Sequence, residues 1–485
     1  MTTTYGSKIT WTAVAGAEYY RVYRDPSNGT GIYAWVGDTQ NEVFEDYNVS
    51  PDTSDAPPSE YEPFSGTDDK PSSVGYFQQR EVFANTNNAP QSIFMTQLSN
   101  YNSMRFSRPA RTDDAIFFTI KSLQVNEIRH IVGLDSLIFL TSGAVWKLTE
   151  GQDRILTPLS IGLRVQNYWG CSWTKPVVIG DSIVFVQEKG TKIRDLSYEF
   201  VDDKYRGSDL SILAQHLFDG YTVDEMAYAD EPFSVLWSVR SDGTLLGLTY
   251  HKEQNVVAWH QHESASGVFE SVATISEDGR DAAYFIVKRV VDGSTVRYIE
   301  RMQERVTSSA ADVWCVDSGL QYSGSAATTI TGLDHLEGEE VVAVADGNVV
   351  TGLTVSSGEI ELTKAAEKVT VGLAYTPTIE LLELDTGSIT GPRGRKASVN
   401  NVMVEFKDSR GGWVGTVDDQ GNPGTLQEIP ARYVSDGYDP LSLKSFKQDV
   451  TVPGTWERGL QVRIEQRVPM PMSILAVIPD VEFSS

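Results

Sequence analysis

Val235-Leu-Trp-Ser-Val-Arg-Ser-Asp-Gly243-Thr-Leu-Leu-Gly-Leu-Thr-Tyr250 reads as two apolar strands joined by a tight turn, with Asp-Gly at the corner where positive φ is needed. The same pattern stands at Leu137-Ile-Phe-Leu-Thr-Ser-Gly143-Ala-Val-Trp-Lys-Leu148, at Ile183-Val-Phe-Val-Gln-Glu-Lys-Gly190-Thr-Lys-Ile-Arg-Asp-Leu196 and at Tyr284-Phe-Ile-Val-Lys-Arg-Val-Val-Asp-Gly293-Ser-Thr-Val-Arg-Tyr-Ile-Glu300. Between the turn glycines lie 190 − 143 = 47, 243 − 190 = 53 and 293 − 243 = 50 residues. The copy at 235–250 is followed by two further alternating runs, Val256-Val-Ala-Trp-His-Gln-His262 and Phe269-Glu-Ser-Val-Ala-Thr-Ile275, so one period holds four strands. Four strands in about 50 residues is the make-up of a β-propeller blade. A β-sandwich built from similar hairpins is the alternative, but it does not require equal spacing. The expected fold class is therefore all-β, a β-propeller with additional small β domains.

A chain of 485 residues is long enough for two to four domains at about 150 residues each. A hydrophobic content of 40%, with 10 Trp, 21 Tyr and 18 Phe, excludes a disordered chain. The 40 basic residues against 66 acidic ones leave −26, which argues against ordinary nucleic-acid binding, because counterion release needs clustered Lys and Arg. Cys171 and Cys315 match neither a zinc spacing nor a disulfide framework and read as free thiols of a reducing compartment. No apolar run approaches the ~18 residues of a membrane span. The start, Met-Thr-Thr-Thr-Tyr-Gly-Ser-Lys, lacks a signal peptide's apolar core, so export by such a signal is not expected.

In chain order, residues 1–50 hold short strands at Ile9-Thr-Trp11, Tyr19-Tyr-Arg-Val-Tyr23, Tyr33-Ala-Trp-Val36 and Glu42-Val-Phe44. From Asp25 to Asp69 no Lys or Arg occurs while eleven acids do, and residues 51–73, with Pro-Pro and Asp-Asp, read as an acidic linker or long exposed loop. Residues 74–310 are the propeller region. One helix is expected within it at 208–220, from the Leu210, Leu213, Leu217 spacing, a Ser208 or Asp209 cap and Gly220 as its stop; its expected place is over a blade edge, or as a docking element. Residues 311–386 form a small β module with an Asp-Gly hairpin at 341–350. Residues 387–485 form a C-terminal β region, expected to complete the propeller or a platform.

Two stretches resemble known families. Residues 1–50 look like part of a fibronectin type III sandwich, with a Trp on an early strand and Tyr-x-Val-Tyr following; the opening strand of such a domain is missing, so a reduced domain or a chain beginning inside a longer protein is expected. From Val74 on, Tyr76-Phe-Gln-Gln-Arg80, Phe106-Ser-Arg-Pro109 with Asp113-Asp114, Leu156-Thr-Pro158, Gln166-Asn-Tyr-Trp-Gly170, the 235–250 hairpin, Val257-Ala-Trp-His260, Val296-Arg-Tyr-Ile-Glu300, Leu333-Asp-His-Leu-Glu-Gly338 and Pro469-Met-Pro471 together resemble the tail nozzle proteins of short-tailed bacteriophages. The resemblance rests on their order and spacing. It implies a propeller-containing virion protein that forms a homohexameric tube below the portal-adaptor ring, meets tail fibre or tailspike proteins, and conducts DNA without binding it specifically. It also implies assembly in the bacterial host cytoplasm and residence in the virion tail. The family pattern has more chain ahead of Val74 than stands here.

A glycan-binding or polysaccharide-hydrolysing tail protein is the alternative function, and hydrolysis needs two carboxylates about 5 to 9.5 Å apart. Ser241-Asp-Gly-Thr and Ser276-Glu-Asp-Gly are fragments of a sialidase-type turn motif and read more simply as hairpin turns. His260-x-His262, with His251 on the preceding strand, makes a metal site conceivable, but no Cys or acid with a ligand spacing supports it. The loop Gly391-Pro-Arg-Gly-Arg-Lys396 lacks the spacing of a phosphate loop. No catalytic residue, metal or cofactor is expected. Arg393, Arg395 and Lys396 are instead expected to meet an acidic surface of a neighbouring subunit or to face DNA in the lumen, with a solvated basic turn as the plain alternative.

Overall fold

A computed structural model of the protein describes residues 6–26, 29, 31–122, 125–149, 155–201, 203–305, 309–383, 395–418, 420–437 and 439–484. The fold is all-β, a series of propeller blades with additional small β domains, and the helical elements among the described residues are short 3-10 turns. The chain divides into two compact units, Met1–Met226 and Ala227–Ser485.

In the first unit, the N-terminal strands expected from sequence form two small sheets. Ser7–Thr10 pairs with Val43–Asp46, and Tyr20–Arg24 with Ala34–Thr39. Trp11 and Tyr20 meet edge to face at 5.2 Å. Arg21 bonds Asp38 at 3.0 Å and Asp55 at 2.8 Å, while Arg24 holds Asp46 at 2.6 Å, so part of the acidic stretch is neutralised from the preceding strand.

Residues 51–73 are not a free linker. Ala56–Glu60 pairs with Arg105–Arg108, Phe64 packs against Phe83 and Phe94, and Tyr61 stands edge-on to Phe117. Two rings anchor a segment whose remaining composition is that of a loop.

Three blades follow. Ser73–Phe77, Arg80–Ala84, Ser92–Met95 and Ile116–Thr119 make the first, and Ile128–Gly133, Leu137–Thr141, Val145–Thr149 and Gly162–Asn167 the second. Val177–Ile179, Ser182–Val186, Ile193–Glu199 and Lys204–Arg206 make the third. Every residue of Leu137–Thr141 is buried. The period of two explains why: Leu137 and Phe139 join Val82, Ile93 and Met95 of the first blade, whereas Ile138 and Leu140 join Ile183, Phe185 and Leu196 of the third. A strand covered on both faces has no polar side to show, and each such side chain contributes about 1.5–3 kcal/mol on burial.

The expected helix at 208–220 is a 3-10 element, Ile212–Leu217, broken at Ala214. Leu210 and Leu217 are buried, but Leu213 is 92% exposed, so the three leucines share no face. Asp209 accepts from the backbone and hydroxyl of Ser211, and Ser208 is tied to Asp195, which holds the entry in a local turn.

Val223–Ala229, Val235–Arg240, Leu245–His251 and Val256–His262 form a fourth blade, and the second unit opens within its first strand. The fifth sheet has three strands, Gly267–Glu277, Arg280–Val291 and Ser294–Arg301. Trp237, Val239 and Leu245 pack with Val272, Phe285 and Val287 between these two sheets. Next, Asp317–Thr331, Glu359–Leu373, Glu340–Ala345 and Asn348–Thr354 form one sheet over its own core. The expected hairpin turn is there, with Asp346 and Gly347 at φ 46 and 77.

The C-terminal strands build a two-layer sandwich. One layer holds Thr378–Glu380, Gln461–Glu465, Gly412–Val417 and Gln427–Ile429, the other Lys444–Thr451, Ala397–Ser409 and Ser473–Phe483. Val402, Val404 and Phe406 of one face Val414, Val462 and Ile464 of the other in a shared core. Among the described residues these strands pair with one another and with no blade, so they do not complete the propeller's sheets as expected.

Candidate interface edge

Arg393 falls outside the described residues; Arg395 and Lys396 are exposed at the start of Ala397–Ser409. Ala397 exchanges backbone hydrogen bonds with Glu457, at 2.7 and 3.0 Å, and Ser484 N–H donates to the Lys396 carbonyl at 2.8 Å. That antiparallel register places Lys396 opposite Arg458 and Ser398 opposite Trp456. The sequence-expected cations are thus joined by Arg458 and by an indole that is 44% exposed. Among the described residues no ion pair engages Arg395, Lys396 or Arg458, although Glu482, opposite Ser398, is nearby. Like charges directly across a ladder are destabilising.

Most other cations of this domain are already occupied. Arg463 bonds Glu380 at 2.7 Å and Glu465 at 2.6 Å, Arg467 takes the other oxygen of Glu465, and the buried Arg410 holds Asp436 at 3.0 Å with Lys444 beside it. Those bonds pull Asp436, a backbone donor at Tyr433 first among them, well below the usual carboxylate range.

The histidines do other work. His260 Nδ1 and His262 Nε2 lie 2.8 Å apart, both edge-on to Trp237, whose ring also carries the Arg305 guanidinium at 5.8 Å. Burial, with His260 and Arg305 adding their charge, brings His262 down to about 3; burial with Arg305 brings His260 to about 4. Gly247 is required beneath them, since a Cβ there would stand 2.1 Å from the His260 ring. His251 pairs with Val256 while His262 pairs with Leu245, at the opposite end of the strand pair, so the three do not converge. Among the described residues no group of three or more His, Cys, Asp or Glu is gathered for a metal.

The Asp-Gly fragments are turns. Asp242 accepts from Arg240 Nη2 at 2.6 Å and from the backbone and hydroxyl of Thr244, which draws its carboxyl down to about 2. Asp278 and Gly279 have φ 48 and 76, and Glu277 is held by Tyr284 and Arg301. A cavity of about 300 Å³ lies beside Asp346, Asn348, Lys364 and Arg432. Two of its charged groups are engaged by the fold, Asp346 with the Glu367 and Lys368 N–H groups and Arg432 with Asn348 and the carbonyls of Gly437 and Asp439.

No protein-family model matches the chain, and no curated protein does. Among solved structures, a luciferin-regenerating enzyme is similar at 8% identity and TM-score 0.26, over 62% of this chain and 91% of that one. A protein from Lactobacillus plantarum is similar at 10% identity and TM-score 0.27, over 62% of this chain and 87% of that one. Likeness of that degree carries no argument about what this chain does.

Trp456 and Arg458 were not legible in the sequence, lying 456 − 396 = 60 and 458 − 396 = 62 residues from Lys396. Their one local signal is an aromatic two residues before a cation in a stretch without strand periodicity.

Proposed function

We propose that this chain is a structural subunit of the tail nozzle of a short-tailed bacteriophage, a homohexameric tube that conducts genome DNA during ejection and has no catalytic centre. The observation that carries the reading is that blocks of sequence resembling that family, far apart in the chain, bind one another. Gln78 Oε1 accepts from Leu156 N–H at 2.9 Å, linking Tyr76-Phe-Gln-Gln-Arg80 to Leu156-Thr-Pro158. Arg80 donates to the carbonyls of Thr96, Asp114 and Thr112, linking the first block to Asp113-Asp114. Asp114 in turn accepts from Ser107 N–H and Oγ within Phe106-Ser-Arg-Pro109 and its neighbourhood. These contacts support reading the three blocks as parts of one unit rather than as separate chance likenesses.

The charge of −26 fits this role. A cationic wall would hold the duplex by counterion release and stall it, whereas carboxylates within a screening length of about 8 Å push it toward the axis. Six subunits in a ring also cover strand edges that otherwise invite uncontrolled association.

Electron microscopy of the purified chain, and of phage particles marked with an antibody against it, tests the reading. Sixfold rings with a passage wide enough for a duplex, located at the tail, are expected. A chain that stays monomeric and depolymerises a bacterial polysaccharide overturns it.

A further inference from the structure

We propose that the edge formed by Arg395, Lys396, Arg458 and Trp456 docks onto the acidic 25–69 stretch of a second copy of this chain, and that repetition of this head-to-tail contact closes the ring. The inference rests on the reading of the chain as a ring subunit and names the surface that makes the ring.

Three cations stand on this edge without an ion pair among the described residues, and two of them oppose each other across the Ala397 and Glu457 bridge. Beside them Trp456 leaves 44% of its surface in water. Arg and Trp together are the residue types that dominate binding energy at protein interfaces. The edge is also rigid: Ala397, Val399 and Val402 sit in the sandwich core, and Ser473–Phe483 pairs along the same strand.

The complementary surface is on the chain itself. The 25–69 stretch contains eleven acids and no Lys or Arg. Arg21, Arg24, Lys8 and Arg105 take up Asp38, Asp55, Asp46, Glu45 and Glu60. Glu42, Asp52, Glu62, Asp68 and Asp69 have no cationic partner among the described residues. Among these acids stand exposed apolar groups: Tyr47 at 55%, Val49 at 56% and Tyr61 at 42%. Carboxylates for the cations and exposed side chains for the indole thus occur within the same 45-residue stretch, 69 − 25 + 1 = 45. A duplex backbone supplies the anions but nothing to cover Trp456.

The contact joins two different surfaces, so it is heterologous, and such contacts generate rings when the rotation closes. A two-fold contact through the same edge sets cation against cation. With each copy at −26, long-range repulsion opposes assembly, which makes a local reversal of sign the feature that selects where copies meet.

The test compares the wild-type chain with the reversals R395E/K396E/R458E and E62K/D68K/D69K, with W456A, and with the two reversals combined in one chain. Circular dichroism and thermal midpoints verify folding, since all these positions lie at the surface. Native mass spectrometry and sedimentation at low and high salt read assembly. Each reversal is expected to raise the half-assembly concentration by on the order of a hundredfold, the scale for opposing like charges at an interface. W456A is expected to raise it about tenfold, and the combined reversal to restore rings.

Wild-type rings that survive either reversal unchanged overturn this docking surface and leave the ring subunit standing. Failure of the combined chain to recover overturns the acidic stretch as the partner. Binding of a fluorescent DNA duplex by the wild type that is lost in R395E/K396E/R458E, with rings intact, assigns the edge to DNA and overturns the proposal. A wild-type chain that never assembles overturns the ring-subunit reading and this inference with it.

Discussion

Arg289 and Asp317 are joined at 2.9 Å, Nη2 to Oδ1, and the guanidinium between them and Glu300 is 1% exposed. Arg289 lies on Arg280–Val291 of the fifth sheet, and Asp317 opens the strand of the following module. Ser264 completes the clasp, accepting from Nη1 at 2.8 Å and donating to Asp317 Oδ2 at 2.6 Å. Burial alone would ease the proton off Arg289; the bonds to Glu300 and Asp317 outweigh it and raise its pKa far above normal. Arg289→Met strands two carboxylates and is expected to destabilise the protein by about 3–5 kcal/mol. A urea midpoint that falls with unchanged slope is the readout, and an unchanged midpoint shows that the clasp is dispensable.

Arg80 is a buried cation of another kind, because its bonded partners are carbonyls. Nη1 reaches Thr96 and Asp114 at 2.7 and 2.6 Å, and Nη2 reaches Thr112 at 3.0 Å. Only a planar fork of fixed geometry serves these acceptors from one strand. Arg80→Lys is expected to leave at least one of them unsatisfied, at about 1–3 kcal/mol each. Limited proteolysis near residues 96–114, together with thermal unfolding, checks this. Wild-type protection in the variant counts against it.

Neither thiol is poised to react. Burial pushes Cys171 up to about 12 against the small opposing pull of Arg129, and burial pushes Cys315 up to about 11. The thiolate is the reactive form, so an aromatic disulfide reagent at pH 8 is expected to label the buried Cys171 only at the unfolding rate and the half-buried Cys315 well below the rate of a free thiol. Both thiols should react at once in denaturant. Rapid stoichiometric labelling of the folded protein contradicts the assignment.

The parts of the fold that local chemistry dictates were legible in the sequence. Asp242-Gly243 and Asp346-Gly347 demand their turns, and the unbroken apolar run Leu137–Leu140 reads as a strand, which the structure buries on both faces. The 208–220 segment misled because leucine spacing outweighed Asp209, whose side chain binds Ser211. Residues 51–73 misled because composition cannot show that Phe64 has Phe83 and Phe94 to pack against. For the candidate edge, Arg395 and Lys396 stood out by charge alone. Arg458 and Trp456 did not, since only the pairing of Ala397 with Glu457 brings them alongside. Arg80 and Arg289 look like surface cations until their carbonyl and carboxylate cages are seen.

The histidine pair makes stability depend on pH in a defined direction. In the fold His260 and His262 titrate at about 4 and about 3, against about 6.5 when unfolded. The unfolded chain therefore binds more protons between these values, and acid favours unfolding. The stability due to the neutral pair is complete above about pH 6.5 and drains as pH falls toward 4 and 3, by up to about 1.4 kcal/mol per pH unit for each ring. The first proton can be accommodated, because a charged imidazole still donates to its neutral neighbour across the 2.8 Å contact. The second would place two cations side by side within the field of Arg305, which is why it is taken up only near 3; the loss is steepest between about 6.5 and 4, where the unfolded chain carries both extra protons, and levels off below about 3. Asp242, held down to about 2 chiefly by Arg240, loses its contribution as pH falls from 3.8 to about 2, overlapping only the acid end of that window. Urea midpoints at pH 7, 6 and 5 should fall steadily in the wild type and stay nearly level in the double variant His260→Gln/His262→Gln. An equal slope in both proteins assigns the acid sensitivity elsewhere and refutes this account of the pair.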